Sequence, residues 1–290
     1  MRYLAGLLLV LTIGLGSSAY AESNRISILL YHAISLNPDR GNLSVVSQPR
    51  FEQQMRFLAE SGFRTLSLAE LHAFMNGAPM PEKSVVISFD DGWKSQLRAL
   101  PILKQYGLKA TFFIFPGGGI APERQKYRNY LTWSEVQAIS DDPDFEVQAH
   151  SMTHPYFRSN NLASWVRGDT PGKNGSDAIY ELVESKTLLE RKLGVPVDFF
   201  AWPGGWYNDA LIDMAKRAGY RALFTAEGGG NRPGNDVYRM RRFVVDGACP
   251  LRAFKRTVVE HRYIPCAPLT PPKQETVVLQ TAQSDQALPE

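Results

Sequence analysis

Three short segments of this 290-residue chain carry groups that can do chemistry, each at the end of an apolar run. The first is Ser88-Phe89-Asp90-Asp91-Gly92. Two adjacent carboxylates ending a strand-like run are costly to bury unless something uses them. Successive strand residues point to opposite faces, but a turn beginning at Gly92 can redirect the second carboxylate. One of the pair can then ligate a cation while the other acts as a base. The second segment is His150-Ser151-Met152-Thr153-His154, directly after a run ending at Ala149. Two of the chain's five histidines lie four residues apart there. On a helix that spacing puts both on one face, and in a polar turn it can also converge them. Ser151 stands where a zinc-protease helix carries Glu, which sets that chemistry aside. The third segment is Phe200-Ala201-Trp202-Pro203-Gly204-Gly205, whose Pro and paired Gly open a turn with backbone N–H groups able to stabilise an oxyanion. Alone, each segment reads as an ordinary turn. Their joint occurrence, in this order, points to a site.

The elements around them alternate. Strand-like runs are expected at Ile26 to Tyr31, Ser84 to Phe89, Ala110 to Phe115, Phe145 to Ala149, Phe199 to Trp202 and Ala222 to Phe224. Helices fall between them. Phe51, Met55 and Leu58 share one helical face, and Ser67 with Glu70 and Thr132 with Glu135 read as capping boxes. Helices over about Ala178 to Leu193 and Asp209 to Ala218 are closed by Gly194 and Gly219. Strands separated by single helices pair in parallel through right-handed crossovers, giving an α/β barrel or large open sheet in one domain. The polar stretch Pro155 to Ser176 breaks the rhythm, either as a substrate-contacting loop or as a surface excursion.

Taken together and in order, the segments resemble the polysaccharide deacetylase family, carbohydrate esterase family 4, and most nearly its poly-N-acetylglucosamine deacetylase-like subgroup. The resemblance spans about Arg25 to Arg242 and includes Tyr31-His32 and Leu131-Thr132-Trp133. It implies a distorted (β/α) barrel of about seven parallel strands. It implies that Asp91, His150 and His154 bind one divalent metal, zinc or another transition metal, and that Asp90 is the general base. The backbone N–H of Gly204 would assist at the oxyanion. Two departures stand out. Family members often carry Arg at the position of Ala201, where it holds the base, and Arg242 is the expected substitute. The late Leu-x-His motif that supplies the acid is not visible, so His32 takes that role by resemblance to the subgroup. Its rival His261, in Glu260-His261-Arg262, reads as a charged helix surface, and His72 as a solvated helix residue. Trp93, Trp202, Trp206 and Tyr207 offer faces for sugar rings, although core packing competes for them.

Composition bounds the rest. A hydrophobic fraction of 44% and a charged fraction of 21% belong to a globular protein. A formal charge of +3, spread over scattered Lys and Arg, argues against nucleic acid. Arg2, the apolar Leu4 to Gly16 and the terminal Ala19-Tyr20-Ala21 read as a signal peptide over 1–21, leaving a secreted or periplasmic mature chain from Glu22 with no stable membrane span. The catalytic domain is expected over 22–266 and a disordered tail over 267–290, which holds four prolines and no aromatic residue. Cys249 and Cys266 permit one disulfide in an oxidising compartment. Nothing in the sequence sets an oligomeric state. The leading expectation is removal of N-acetyl groups from an N-acetylglucosamine polymer. The competitors are an O-acetyl esterase on xylan or a similar glycan, and an inactive carbohydrate-binding protein for which the missing Arg at Ala201 is the best support.

Overall fold

Short β-branched and aromatic runs separated by amphipathic helices can bury both faces only by lying side by side beneath those helices. That is the arrangement in the computed structural model of the chain, which describes residues 24–38, 42–117 and 129–262. The expected leader and tail, and Cys266, lie outside the described residues; Cys249 is disulfide-bonded. In chain order the elements are β1 (Ser27–Tyr31), β2 (Ala33–Ser35), β3 (Val45–Ser47), α1 (Gln48–Glu60), β4 (Arg64–Thr65), α2 (Leu68–Met75), β5 (Ser84–Asp90), α3 (Ala99–Gln105), β6 (Ala110–Ile114) and α4 (Trp133–Ser140). There follow β7 (Phe145–Ala149), β8 (Tyr156–Phe157), β9 (Asn160–Asn161), α5 (Leu162–Arg167), α6 (Gly175–Leu193), β10 (Phe199–Ala201), α7 (Asp209–Arg217), β11 (Ala222–Phe224), β12 (Phe243–Val244) and α8 (Leu251–Glu260).

Seven strands run in the order β11-β10-β7-β6-β5-β1-β12, with β4 beside β5. Every pair in this sheet is parallel. The sheet curls into a half-barrel, in accord with the expected fold class. One short segment spans its two edges: Met240 bridges Phe224 beside β11, and three residues later Phe243 pairs with Leu29 of β1. The α2 and α4 capping boxes form as read from Ser67/Glu70 and Thr132/Glu135. The stretch from Pro155 to Ser176 is not a plain loop. It folds into the β8–β9 hairpin, α5 and the start of α6, with Asn161 and Asn174 supplying the helix caps.

Strand alternation sorts the core into two layers. Leu29, Tyr31, Val85, Ile87, Phe89, Phe112 and Ile114 pack outward against the helices. Ile28, Val86, Phe113, Ala201, Phe224 and Met240 fill the barrel interior. The same parity carries His32, Asp90, His150 and Arg242 to the inner side, because each stands an even number of residues from an inward neighbour. On the outer face the register aligns Tyr31 with Phe89 and Phe89 with Phe112. Their rings stack at 5.4 and 4.9 Å. Phe89 stands one residue before Asp90 and is fully buried, so Phe89→Ala should cost about 3–5 kcal/mol. A urea-derived unfolding free energy that falls by less than about 1 kcal/mol would show the ladder to be dispensable.

Candidate active site

The site lies where the strands β1, β5 and β7 end. β5 delivers Asp90 into the barrel, and the chain then turns through two left-handed residues, Asp91 (φ 77°) and Gly92 (φ 72°). This swing puts both carboxylates on one side, as the Gly92 turn allows. β7 ends at Ala149, and the His150 N–H donates to the Ile114 carbonyl at 3.0 Å. The next residues form a tight turn with Ser151 (φ 62°) and His154 (φ 58°) also left-handed. Non-glycine residues hold that conformation at a cost of about 1–2 kcal/mol each and need outside support. Glu181 of α6 provides it, accepting from the Met152 and Thr153 N–H groups at 2.8 Å each and from Thr153 Oγ1 at 2.6 Å.

The turn brings Asp91, His150 and His154 together. Asp91 Oδ1 lies 3.0 Å from His154 Nε2 and 3.3 Å from His150 Nε2. One ligand atom from each residue falls within 4.8 Å of the others. The other ring nitrogen of His150, Nδ1, is held by the Ala201 carbonyl at 2.8 Å. That contact commits Nδ1–H to donation and makes Nε2 the nitrogen that faces the carboxylate. Phe115 and Tyr156 sandwich the His154 ring at centroid distances of 4.9 and 5.0 Å. Two imidazoles and one carboxylate at this spacing, with one ring oriented by an outer carbonyl, are a donor set that fits one divalent cation.

Asp90 stands apart from this set and is held differently. Arg242 grips it with two bonds, Nη1 to Oδ1 and Nη2 to Oδ2, both 2.7 Å. The guanidinium is fully buried, donates Nε–H to the Thr225 carbonyl at 2.8 Å and lies over the Phe113 ring. Burial alone would raise the Asp90 carboxyl, but Arg242, with His150 in support, holds it below its ordinary value. Asp91 is held well below its ordinary value, because hydrogen bonds to His150 and His154 outweigh its burial. Burial pushes His150 down, yet the facing Asp90 and Asp91 carboxylates leave it above its ordinary value. Burial keeps His154 below its own despite the bond to Asp91.

One cavity of about 1070 Å³ is lined by His32, Asp90, Asp91, His150, His154, Gly204 and Arg242, all seven residues singled out from sequence. His32 follows the C-terminal end of β1, and Gln96 ties its carbonyl (2.8 Å) to that of Asp90 (2.6 Å). His261 is elsewhere: it caps α8 and bonds Ser27 at the opposite end of β1. His72 lies on α2 beside Asn76 and Arg221. The aromatics divide. Trp202 is buried and Trp93 is engaged with Asp91, whereas Trp206 is exposed over Gly204. A Cβ on Gly204 would sit 2.9 Å from Trp206 Cδ1 and 3.0 Å from the Tyr156 carbonyl, so the turn (φ 61°) admits glycine alone. Glu181, Gln96 and Tyr156 carry no sequence signal of their role; each reads as a helix or loop residue until the fold brings it here.

The family model of polysaccharide deacetylases matches residues 77–223, and the chain belongs to that family of hydrolytic enzymes. YxkH of Bacillus subtilis (strain 168), named after the same family, is 28% identical over 232 residues, which are 79% of this chain and 75% of YxkH. The poly-beta-1,6-N-acetyl-D-glucosamine N-deacetylase of Escherichia coli (strain K12) is 28% identical over 204 residues, 61% of this chain but only 30% of that enzyme. Among solved structures, the Streptococcus pyogenes deacetylase PplD in complex with acetate superposes with a TM-score of 0.69 at 25% identity, covering 81% of this chain and 98% of PplD.

Glu181 gives a direct check on how the site is held. Glu181→Ala takes the acceptor from two part-buried N–H groups and should cost about 1–3 kcal/mol in all. Divalent-metal affinity should fall with it, because the left-handed turn loses its support. Calorimetric metal titration with unchanged affinity would show that the turn holds itself.

Proposed function

We propose that this protein removes N-acetyl groups from N-acetylglucosamine residues of an extracellular or cell-wall polysaccharide, with Asp91, His150 and His154 holding one divalent metal, zinc first among the candidates. The single observation that carries the reading is the separation of two carboxylates in one cavity. Asp91 faces two imidazoles, while Asp90, 3.9 Å from His150 Nε2, is kept ionised by Arg242. An ionised carboxylate beside a cation site, and not spent on the cation, is what a general base requires. The name of the E. coli relative favours an amide over an ester as the bond cleaved.

The residues then divide the work. A bound divalent ion would supply Lewis acidity, polarising the acetyl carbonyl and making water acidic. Asp90 takes the proton from the attacking water. Arg242 holds both carboxylate oxygens, so the base is oriented before substrate arrives. The Gly204 N–H donates to the oxygen that becomes negative as the carbonyl carbon turns tetrahedral. His32, on the same cavity wall, gives a proton to the departing sugar amine. The missing Arg at Ala201 no longer supports an inactive carbohydrate-binding protein, because Arg242 already supplies a guanidinium to Asp90.

The aromatic lip of the cavity supports a polymer as substrate. Tyr156, Phe157 and Trp206 expose 46%, 54% and 40% of their surface. The Tyr156 and Phe157 rings stack at 4.4 Å, and Trp206 Nε1–H holds the Tyr156 carbonyl at 3.1 Å. Rigid aromatic faces beside a cavity suit neighbouring sugar rings of an extended chain. A leader at 1–21, as read from the sequence, would carry the chain out of the cytoplasm to such a polymer.

Acetate release from N-acetylglucosamine oligomers and from acetylated xylan, before and after chelation, tests the reading. Chelator-sensitive release from the amino-sugar oligomers is expected; release from xylan alone would replace the amidase with an esterase. Asp90→Asn should lower kcat by about 10²–10⁴ while metal content stays full. It should also destabilise the fold, since Arg242 is left buried beside a neutral partner. Near-normal turnover in that variant would remove Asp90 from the chemistry. Phe157→Ala or Trp206→Ala should raise KM for long oligomers roughly fivefold, about 1 kcal/mol, and leave a small aryl acetate unaffected. Equal effects on both substrates would mean that the lip shapes the cavity and does not bind sugar.

A further inference from the structure

We propose that Trp93 is the positioning residue of the metal centre, fixing which oxygen of Asp91 a cation can reach. The inference rests on the reading of Asp91, His150 and His154 as metal ligands. Trp93 Nε1–H donates to Asp91 Oδ2 at 2.8 Å. The other oxygen, Oδ1, is the one facing His154 Nε2 at 3.0 Å and His150 Nε2 at 3.3 Å. With Oδ2 taken by the indole, the carboxylate presents one oxygen toward the imidazoles.

The indole is itself locked. Trp93 and Tyr130 pair across an antiparallel bridge, and their rings stack at 4.6 Å and 22°. Tyr130 meets Phe115 edge-on at 5.1 Å, and Phe115 stacks on His154 at 4.9 Å and 15°. Four rings thus run from the outer oxygen of Asp91 round to the ring of the third ligand. Stacked and edge-on pairs each add to the stability of such a row, so Asp91 and His154 are braced against one another before any ion arrives. A carboxylate limited to one oxygen beside two imidazoles suits ions that take few ligands with nitrogen among them. It disfavours calcium, which takes six to eight oxygens and accepts carboxylates through both.

The test is a Zn²⁺ titration of the chelator-stripped full chain, by competition with a chromophoric chelator, on three proteins. These are the wild type, Trp93→Phe, and a variant with 3-benzothienylalanine at position 93, in which sulfur replaces the N–H within nearly the same ring. Removing an outer-shell partner of a metal ligand typically costs 10–100-fold in affinity. Both variants are expected to bind Zn²⁺ weaker by that factor, with the thermal midpoint of the metal-free benzothienyl protein unchanged. Wild-type affinity in the benzothienyl variant would overturn the proposal whatever Trp93→Phe does, because ring packing without the N–H would then suffice. A wild type that binds no Zn²⁺ would instead remove the ligand assignment, and this inference with it. That outcome is visible before either variant is measured.

Discussion

An ionised carboxylate inside a barrel is the constraint around which this molecule is arranged. Alternation along β5 sends Asp90 inward with Val86 and Ser88, where almost none of its surface meets bulk water. An unpaired charge there costs several kcal/mol, and only a well-aimed counter-charge with its own donors satisfied offsets that. Arg242 meets the requirement in full, with two bonds to Asp90, one to the Thr225 carbonyl and its flat face over Phe113. Its backbone position is equally consequential. Arg242 lies between Met240, which bridges to β11, and Phe243, which pairs with β1. The segment that spans the two edges of the sheet is therefore the segment that neutralises its interior. Buried ion pairs are often no better for stability than apolar residues of the same volume. Retaining one here makes sense if the carboxylate must stay charged at the wall of a cavity.

Conformational strain is concentrated where the chemistry is. Among the described residues, five that are not glycine have positive φ, and three of them are Asp91, Ser151 and His154. Each is held by something that pairs with the strained turn itself: Trp93 with the Asp91 side chain, and Glu181 with the backbone from Met152 to Thr153. Relaxed backbone would let the two imidazoles and the carboxylate separate. The turn is kept in a state it would not choose alone, and the surrounding packing and hydrogen bonds supply the difference.

Much of this was legible from residues alone, and the remainder was not for physical reasons. The long strands and helices announce themselves through apolar periodicity and caps, which are local properties; Ser67/Glu70 and Thr132/Glu135 could be read without a fold. The paired carboxylates and paired histidines were also readable, because ligands that share a turn share a short stretch of sequence. The strands β2, β3, β4 and β12 span two or three residues each and lack any period to detect. The stretch from Pro155 to Ser176 looked like a loop since its Asn, Gly and Pro content favours turns. Two of those Asn residues in fact begin helices, a role the same side chain serves equally well. Glu181 was invisible for another reason. It lies on a long amphipathic helix, and whether an acidic residue there faces solvent or a buried turn depends on what the helix packs against.

The arginine shows how a site can outlast the motif that describes it. The proposed chemistry asks for one guanidinium on the Asp90 carboxylate, not for a residue at a given place in the chain. Ala201, on β10, and Arg242, in the bridging segment, both belong to the inner layer of the barrel. Two buried guanidinia facing one carboxylate would leave a positive charge unpaired beside the proposed cation site. Repulsion and desolvation would both act against that arrangement. On charge alone, Arg242 and an Arg at position 201 are therefore alternatives. A motif search scores the alanine as a loss. Charge and parity find the guanidinium present, arriving on Asp90 from the bridging segment.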